Sequence, residues 1–108
     1  MTRIALFQSQ TGIDPDANAQ ALVDAVRKTA DGGAEMLFTP EMSGLLDRDT
    51  RRARTNLRTE AEDAVLEACR EAAKRHGIWL HLGSLAVLLD DGKVANRAFV
   101  IDREGQVR

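Results

Sequence analysis

The sequence predicts an α/β fold in which two helices pack on one face of a mixed β-sheet. Short apolar runs alternate with two longer segments whose apolar residues recur every three or four positions, a pattern typical of alternating strands and helices. An Asp91-Gly92 pair between the last two apolar runs predicts a hairpin, and therefore an antiparallel strand pair. The chain has 108 residues, the length of one domain.

The first part of the chain predicts a strand, a helix and a second strand. The apolar run 4–7 is bounded by polar residues and has the length of a buried strand. Asp14 followed by Pro15 is a typical helix start, because the carboxylate caps free amides and proline needs no amide hydrogen there. Glycines 32–33 predict the end of this helix, and residues 36–39 predict the second strand. This order predicts a right-handed crossover between two parallel strands.

The middle of the chain predicts a loop and a second helix. Residues 44–58 lack apolar periodicity and carry five arginines, so we expect a surface loop, with a short helical turn inside it as an open alternative. Thr59 and Glu62 fit a capping box, which predicts that the second helix begins there. Gly77 predicts its end.

The last part of the chain predicts three strands. The apolar runs 78–82 and 84–89 predict the third and fourth strands, and residues 94–102 predict a fifth. Asp91 and Gly92 both tolerate positive φ, so we expect a two-residue turn between the last two strands. The resulting order is β-α-β-α-β-β-β. Several strands look apolar on both sides, so we expect polypeptide outside this chain to cover the second face of the sheet.

Composition excludes several classes of protein. The 15 Lys+Arg and 17 Asp+Glu residues leave a formal charge of −2, so no strong field would attract nucleic acid or anionic lipid. The longest mainly apolar run, 78–89, is too short to span a bilayer, and the apolar start is too short for a signal peptide. The one cysteine excludes an internal disulfide framework and a multi-cysteine zinc site, so we expect a cytoplasmic protein without nucleic-acid or membrane partners.

The best candidate for a catalytic side chain is Glu41, which directly follows the second predicted strand. Loops at the carboxyl ends of parallel strands converge over the crevice where open α/β sheets bind ligands. Apolar Phe38, Met42 and Leu45 nearby would disfavour the charged carboxylate and make it a proton acceptor near neutrality. The alternative interpretation is an exposed glutamate after a proline turn.

Other chemically capable residues are interpreted as structural. Cys69 lies on the apolar stripe of the second helix, where a small buried thiol is the ordinary explanation. His76 and His81 have no second ligand pair with zinc-like spacing, and Lys93 flanks a hairpin turn. The arginines within 48–58 have acidic neighbours and no interleaved aromatic residues, which favours a solvated loop over a phosphate or nucleic-acid site. Binding of a substrate carboxylate by one of them is the alternative.

Several motifs follow one another in an order that is characteristic of a known family. They are IALFQ (4–8), the helix from Pro15, GAEMLFTPE (33–41), AKRHGI (73–78), GS (83–84), NRAFVID (96–102) and Gly105. Together they cover essentially the whole chain, which resembles the amino-terminal part of the nitrilase superfamily of carbon-nitrogen hydrolases. Within the superfamily, the chain most resembles the branch of deaminated glutathione amidase and omega-amidase.

The resemblance implies an incomplete α-β-β-α sandwich, in which residues 1–108 form the amino-terminal part of a single carbon-nitrogen hydrolase domain truncated at its carboxyl end. It also implies a Glu-Lys-Cys thiol mechanism on a small amide or nitrile substrate, with Glu41 as the general base and no metal or organic cofactor. The lysine is expected a few residues beyond Arg108 and the cysteine further on, so we expect this chain alone to be inactive. The complete enzyme is expected to form a homo-oligomer.

A second hypothesis belongs to a different class of protein. In it, the chain is a small non-catalytic α/β binding or interaction module whose sheet is completed by a partner chain. Coding sequence beyond Arg108 that contains a nearby lysine and a later cysteine would favour the enzyme over this module.

Overall fold

The computed structural model describes residues 2–9 and 11–108. The elements are β1 (Ile4–Leu6), α1 (Pro15–Asp31), β2 (Met36–Phe38), α2 (Thr50–Asn56), a 3-10 turn (Glu60–Glu62), α3 (Ala64–His76), β3 (Trp79–Leu88) and β4 (Val94–Ile101). The strands form a four-stranded sheet in chain order, with β1, β2 and β3 parallel and β4 antiparallel to β3. The predicted α/β class with a mixed sheet is confirmed.

Helix α1 forms where the sequence predicts it. The Asp14 side chain accepts a hydrogen bond from the Asp16 N–H at 3.0 Å, and Pro15 occupies the first turn. At the other end, Gly33 takes a φ of 81°, which a residue with a Cβ rarely adopts. Local sequence chemistry therefore fixes both ends of this helix.

The prediction of separate third and fourth strands is wrong, because both runs belong to the continuous strand β3. Leu82 pairs with Phe99 and Leu85 with Arg97, so β3 carries one more residue than β4 between these two pairs. Gly83 and Ser84 occupy this β-bulge, which shifts the alternation of side chains by one residue. The sequence signal at Gly83 marks the bulge rather than a gap between strands.

The predicted start of the second helix is also wrong. Thr59 Oγ1 donates a hydrogen bond to Glu62 Oε1 at 3.0 Å within the short 3-10 turn and caps no helix. Helix α3 begins at Ala64 instead, because the Asp63 side chain accepts from the N–H groups of Val65 and Leu66. The residue that caps the helix, Asp63, therefore lies four residues beyond the predicted cap, Thr59.

Two connections differ from the expected loops. The arginine-rich segment contains the exposed helix α2, whose start is capped by the Asp49 side chain. The β3–β4 turn is longer than the predicted two residues: the Leu89 N–H donates to Lys93 O, and the Gly92 N–H donates to Leu89 O. Gly92 has a positive φ and Asp91 does not, as in hairpin loops that end in one left-handed residue.

The hydrophobic core lies between the sheet and the helices α1 and α3. It includes Leu22, Val26, Leu37, Leu80, Leu82, Leu85, Val87 and Ile101. Because these side chains are removed from water, they provide the main driving force for folding. We call the side of the sheet that carries Leu37 and Leu80 the helix face.

The opposite side of the sheet has no covering layer among the described residues. We call it the open face; it carries Ile4, Leu6, Met36, Phe38, Trp79, His81 and Val100. These residues alternate with helix-face residues along the same strands. Ile4 and Leu6 are 57% and 76% exposed, whereas Leu37 is 1% exposed. The described residues leave this face uncovered, and its coverage by polypeptide outside this chain stays a prediction.

Within residues 2–9 and 11–108, no helix combines the length and the apolar character needed to cross a membrane.

Candidate functional site

Residues 39–46, which we call the Glu41 loop, connect the carboxyl end of β2 to the segment before α2. Glu41 itself is exposed, whereas Phe38 and Met42 are half-buried. The prediction that apolar residues surround the Glu41 carboxylate is therefore wrong for the chain by itself. Leu45 is buried in the interior, and no described layer covers the end of β2. The structure does place Glu41 at the carboxyl ends of the parallel strands, as the sequence predicts.

The backbone directly after Glu41 adopts an unusual conformation. Met42 has a φ of 54° and is the only non-glycine residue with a positive φ in the described part of the chain. The left-handed conformation costs an L-amino acid about 1–2 kcal/mol, because its Cβ approaches the following carbonyl oxygen. Such residues persist where surrounding contacts hold them, and they concentrate at functional sites.

Ser84, in the bulge of β3, holds this backbone in place. Its Oγ accepts a hydrogen bond from the Met42 N–H at 2.9 Å. Its carbonyl oxygen accepts another from the Ser43 N–H at 3.1 Å. One buried residue therefore binds the two consecutive amides that follow Glu41.

Gly83 allows the loop and β3 to approach closely. A Cβ at this position would lie 2.5 Å from the carbonyl oxygen of Thr39 and 2.6 Å from the carbonyl carbon of Pro40. The Gly83 N–H donates to Thr39 Oγ1 at 3.3 Å, and the Thr39 N–H donates to His81 O at 3.0 Å. The bulge is therefore the surface on which the Glu41 loop rests.

Asn18 holds the far end of the same loop from helix α1. Its Nδ2 donates to Gly44 O at 2.9 Å and to Gly12 O at 2.8 Å, while its Oδ1 accepts from the Gly12 N–H. The Leu46 N–H also donates to Gly12 O at 3.0 Å. The buried Asn18 amide thus joins the loops that follow β1 and β2, which meet at one edge of the sheet.

Cys69 is fully buried in α3, as the sequence predicts. Its exposed fraction is 0%. Burial raises the pKa of the Cys69 thiol to about 12, and the negative charge of Asp63 adds to the rise. The thiol is therefore protonated near neutrality, whereas the attacking form of a cysteine nucleophile is the thiolate.

Lys93 and the two histidines lie apart from the Glu41 loop or have structural contacts. Lys93 lies in the hairpin turn, roughly 20 Å beyond the level of His81 along β3. The His81 ring is tilted against Phe38 on the open face, with ring centroids 5.4 Å apart. His76 ends α3.

Three of the five clustered arginines make contacts with neighbouring parts of this chain. Arg52 Nε donates to Asp47 Oδ2 at 2.6 Å, and this hydrogen bond is the main cause that lowers the pKa of Asp47. Arg54 Nη2 donates to Gly92 O at 2.6 Å, and Arg58 Nη1 donates to two carbonyl oxygens near the end of α2. These contacts explain the three residues as parts of the surface structure. Arg48 and Arg51 are exposed.

A groove borders the Glu41 loop on the side of α2. It has a volume of about 370 Å³, and its walls include Met42, Leu45, Ala53, Ala86 and Asn96. Sequence reasoning named Met42 as an apolar neighbour of Glu41 but missed Asn18 and Ser84 as residues that hold the Glu41 loop. The glycine at position 83 inside an apolar run was the one sequence signal for the bulge.

Comparisons with known proteins agree on one family. A family model described as carbon-nitrogen hydrolase matches residues 3–108. An amidase from Nesterenkonia sp. AN1 from the nitrilase superfamily is 29% identical, with a TM-score of 0.83 over 99% of this chain. One variant of that amidase was solved in complex with butyramide. A glutamate-to-glutamine variant shows acrylamide added at the active-site cysteine.

The nitrilase and fragile histidine triad fusion protein NitFhit of Caenorhabditis elegans is a second relative. It is 28% identical over 107 residues, which make up 97% of this chain and 24% of the fusion protein. Its crystal structure superposes with a TM-score of 0.84. The chain spans 41% of the length of the solved amidase.

Proposed function

Because this chain belongs to the carbon-nitrogen hydrolase family of the nitrilase superfamily, we propose that Glu41 is the general base of an enzyme that hydrolyses small amides. The observation that carries the proposal is the Glu41 loop: an exposed carboxylate stands at the carboxyl end of a parallel strand, followed by a backbone conformation that hydrogen bonds to the buried Ser84 hold in place. Ligands of open α/β sheets bind at this edge.

The proposed chemistry uses a cysteine and a lysine that lie outside residues 1–108. Glu41 accepts the thiol proton, and the resulting thiolate attacks the amide carbonyl carbon. The lysine ammonium stabilises the negative charge that develops on the carbonyl oxygen. The carbon-nitrogen bond breaks, ammonia leaves with the proton from Glu41, and a thioester remains. Glu41 then takes a proton from water, whose oxygen attacks the thioester carbon. The carbon-sulfur bond breaks, the acid leaves, and the proton on Glu41 returns to the cysteine sulfur.

The open face supports the proposal that further polypeptide completes the domain. In the proposed enzyme, residues 1–108 form the amino-terminal part of one α-β-β-α sandwich, and the exposed Ile4 and Leu6 pack against a second layer. The chain spans 41% of the length of the similar amidase, which leaves room for such a layer in a protein of that size. The same layer would provide the apolar wall that Glu41 lacks here.

Amides are the proposed substrate class, rather than nitriles, because the similar solved enzyme is an amidase and one of its complexes contains butyramide. The 108-residue chain alone is proposed to be inactive, since its one thiol is buried and protonated. The non-catalytic module remains the alternative, and the family match over residues 3–108 favours the enzyme.

Substitution of Glu41 by glutamine tests the proposal. In the protein expressed from its complete coding sequence, we expect Glu41→Gln to lower kcat for ammonia release from short aliphatic amides by about 10³-fold, the effect of losing a general base. Glu35→Gln is the matched control, because Glu35 is also exposed but precedes β2 at its opposite end. Turnover by Glu41→Gln at the rate of the control would refute the role of Glu41.

A further inference from the structure

We propose that Ser84 is a positioning residue for Glu41. Through hydrogen bonds to the two amides after Glu41, it holds Met42 in the left-handed conformation that sets the direction of the carboxylate. The inference rests on the proposed function of Glu41, and it concerns a residue that lies on a different strand and touches no reacting group.

The hydrogen bonds to Ser84 oppose the intrinsic preference of the backbone at Met42. A methionine free of other contacts favours negative φ, so the loop would turn a different way after Glu41. The Ser84 Oγ accepts from the Met42 N–H at 2.9 Å, and the Ser84 carbonyl accepts from the Ser43 N–H at 3.1 Å. Both acceptors belong to a buried residue of the sheet. They therefore hold the backbone of the loop in one position although the Glu41 carboxylate is exposed.

Other contacts hold the two ends of the Glu41 loop, so Met42 is the part of the loop whose position depends on the Ser84 side chain. Gly83 fixes the backbone of Thr39 and Pro40 by direct approach, and Asn18 fixes Gly44. Between them, the Met42 amide is bound by the Ser84 hydroxyl alone among the described hydrogen bonds. Because a base displaced by about 1 Å can lose a large part of its rate advantage, a change at Met42 is expected to affect catalysis.

The kinetic test compares two buried hydroxyl groups in the protein expressed from its complete coding sequence. Ser84→Ala removes the acceptor for Met42, whereas the control Thr29→Val removes the hydrogen bond from Thr29 Oγ1 to Ala25 O within α1, far from the loop. We expect Ser84→Ala to lower kcat for amide hydrolysis about tenfold or more while KM stays within about twofold. We expect Thr29→Val to leave both constants unchanged, even though both variants lower the Tm.

Rescue by a conservative substitution separates positioning from simple destabilisation. Ser84→Thr keeps a hydroxyl acceptor, and we expect it to restore kcat to within about threefold of the parent protein. If Ser84→Ala behaves like Thr29→Val while Glu41→Gln is inactive, the inference about Ser84 is wrong and the proposed function stands. Turnover that survives Glu41→Gln overturns both.

Hydrogen exchange of the unsubstituted protein gives a test that does not require any variant to fold. We expect the Met42 amide to exchange at least about tenfold more slowly than the amide of the exposed loop residue Arg48, because Ser84 binds it. Equal exchange rates at Met42 and Arg48 would overturn the inference.

Discussion

The two faces of the sheet are formed by the same strands but differ in whether described residues cover them. On the helix face, Leu37 and Leu80 are 1% and 0% exposed beneath α1 and α3. On the open face, Ile4 and Leu6 are 57% and 76% exposed. Neighbouring residues in a strand point to opposite sides. The same strands therefore place apolar residues both in the layer that the helices cover and in the layer that no described residues cover. The helix face explains the folding of this chain, and the open face is the surface that we propose further polypeptide covers.

The largest expected difference between the faces is in stability. Leu80→Ala should lower the free energy of unfolding of the 108-residue chain by about 3 kcal/mol, because it leaves a cavity in the core. Leu6→Ala is the matched control on the open face, and we expect it to change the free energy of unfolding by about 0.5 kcal/mol or less. Urea unfolding followed by circular dichroism measures both, at a protein concentration low enough for the chain to be monomeric. Equal losses for the two variants would show that the open face is covered in the chain by itself.

The second prediction concerns self-association of the 108-residue chain. Exposed contiguous apolar surface promotes association, so we expect the chain to form oligomers through the open face. Leu6→Lys places a charge on that face and should weaken association at least about tenfold, the equivalent of 1.4 kcal/mol. Leu46→Lys is the control, since Leu46 is a similarly exposed apolar residue in the Glu41 loop rather than on the sheet. Sedimentation velocity over a range of concentrations distinguishes them, and equal behaviour of both variants would contradict the prediction.

The smallest expected effect is a loss of stability at acid pH that depends on Asp102, the buried residue directly after β4. Asp102 is buried and accepts hydrogen bonds from the Gln106 and Glu104 amides and from Arg108 Nε. The Gln106 hydrogen bond is the largest cause that holds the pKa of Asp102 below its ordinary value of 3.8, and Arg108 adds to the effect. A carboxylate with a lowered folded-state pKa contributes stability that is present above the unfolded-state pKa and is lost as pH falls through the folded-state pKa.

We therefore expect the free energy of unfolding to decrease as the pH falls from about 5 towards 3, and Asp102→Asn to decrease less over the same window. Thermal unfolding at several pH values measures the difference between the two proteins. Asp90→Asn, at an exposed position in the β3–β4 turn, controls for the loss of one carboxylate. Parallel curves for the parent protein and Asp102→Asn would contradict the assignment.

Local chemistry predicted the elements whose ends depend on neighbouring residues. Asp14, Pro15 and Gly33 define α1 because the cap, the first turn and the positive φ involve residues close in sequence. The start of α3 could not be chosen in this way, since Thr59 and Asp63 are both capable caps. The bulge in β3 is defined only against its partner strand, so the separate runs 78–82 and 84–89 could not reveal it.

The candidate site divides in the same way. The position of Glu41 at a strand end followed from the sequence order of strand and proline, and its role as base remains a prediction from the resemblance. The residues that hold its loop are far away in sequence: Ser84 is 42 residues from Met42, and Asn18 is 26 residues from Gly44. Their polar groups find these partners only in the folded chain, so no local pattern could indicate them.

The bulge also restricts how the gene can change in length. Leu82 and Leu85 both point to the helices across an odd interval, so loss of one codon at position 83 or 84 would remove the extra residue and restore regular alternation, with Leu85 and Val87 still facing the helices. The helix face of β3 would keep its side chains, but the bulge that supports the Glu41 loop, together with its glycine or serine, would be lost. Single-residue deletions are therefore expected to be far less tolerated there than at the tip of the hairpin.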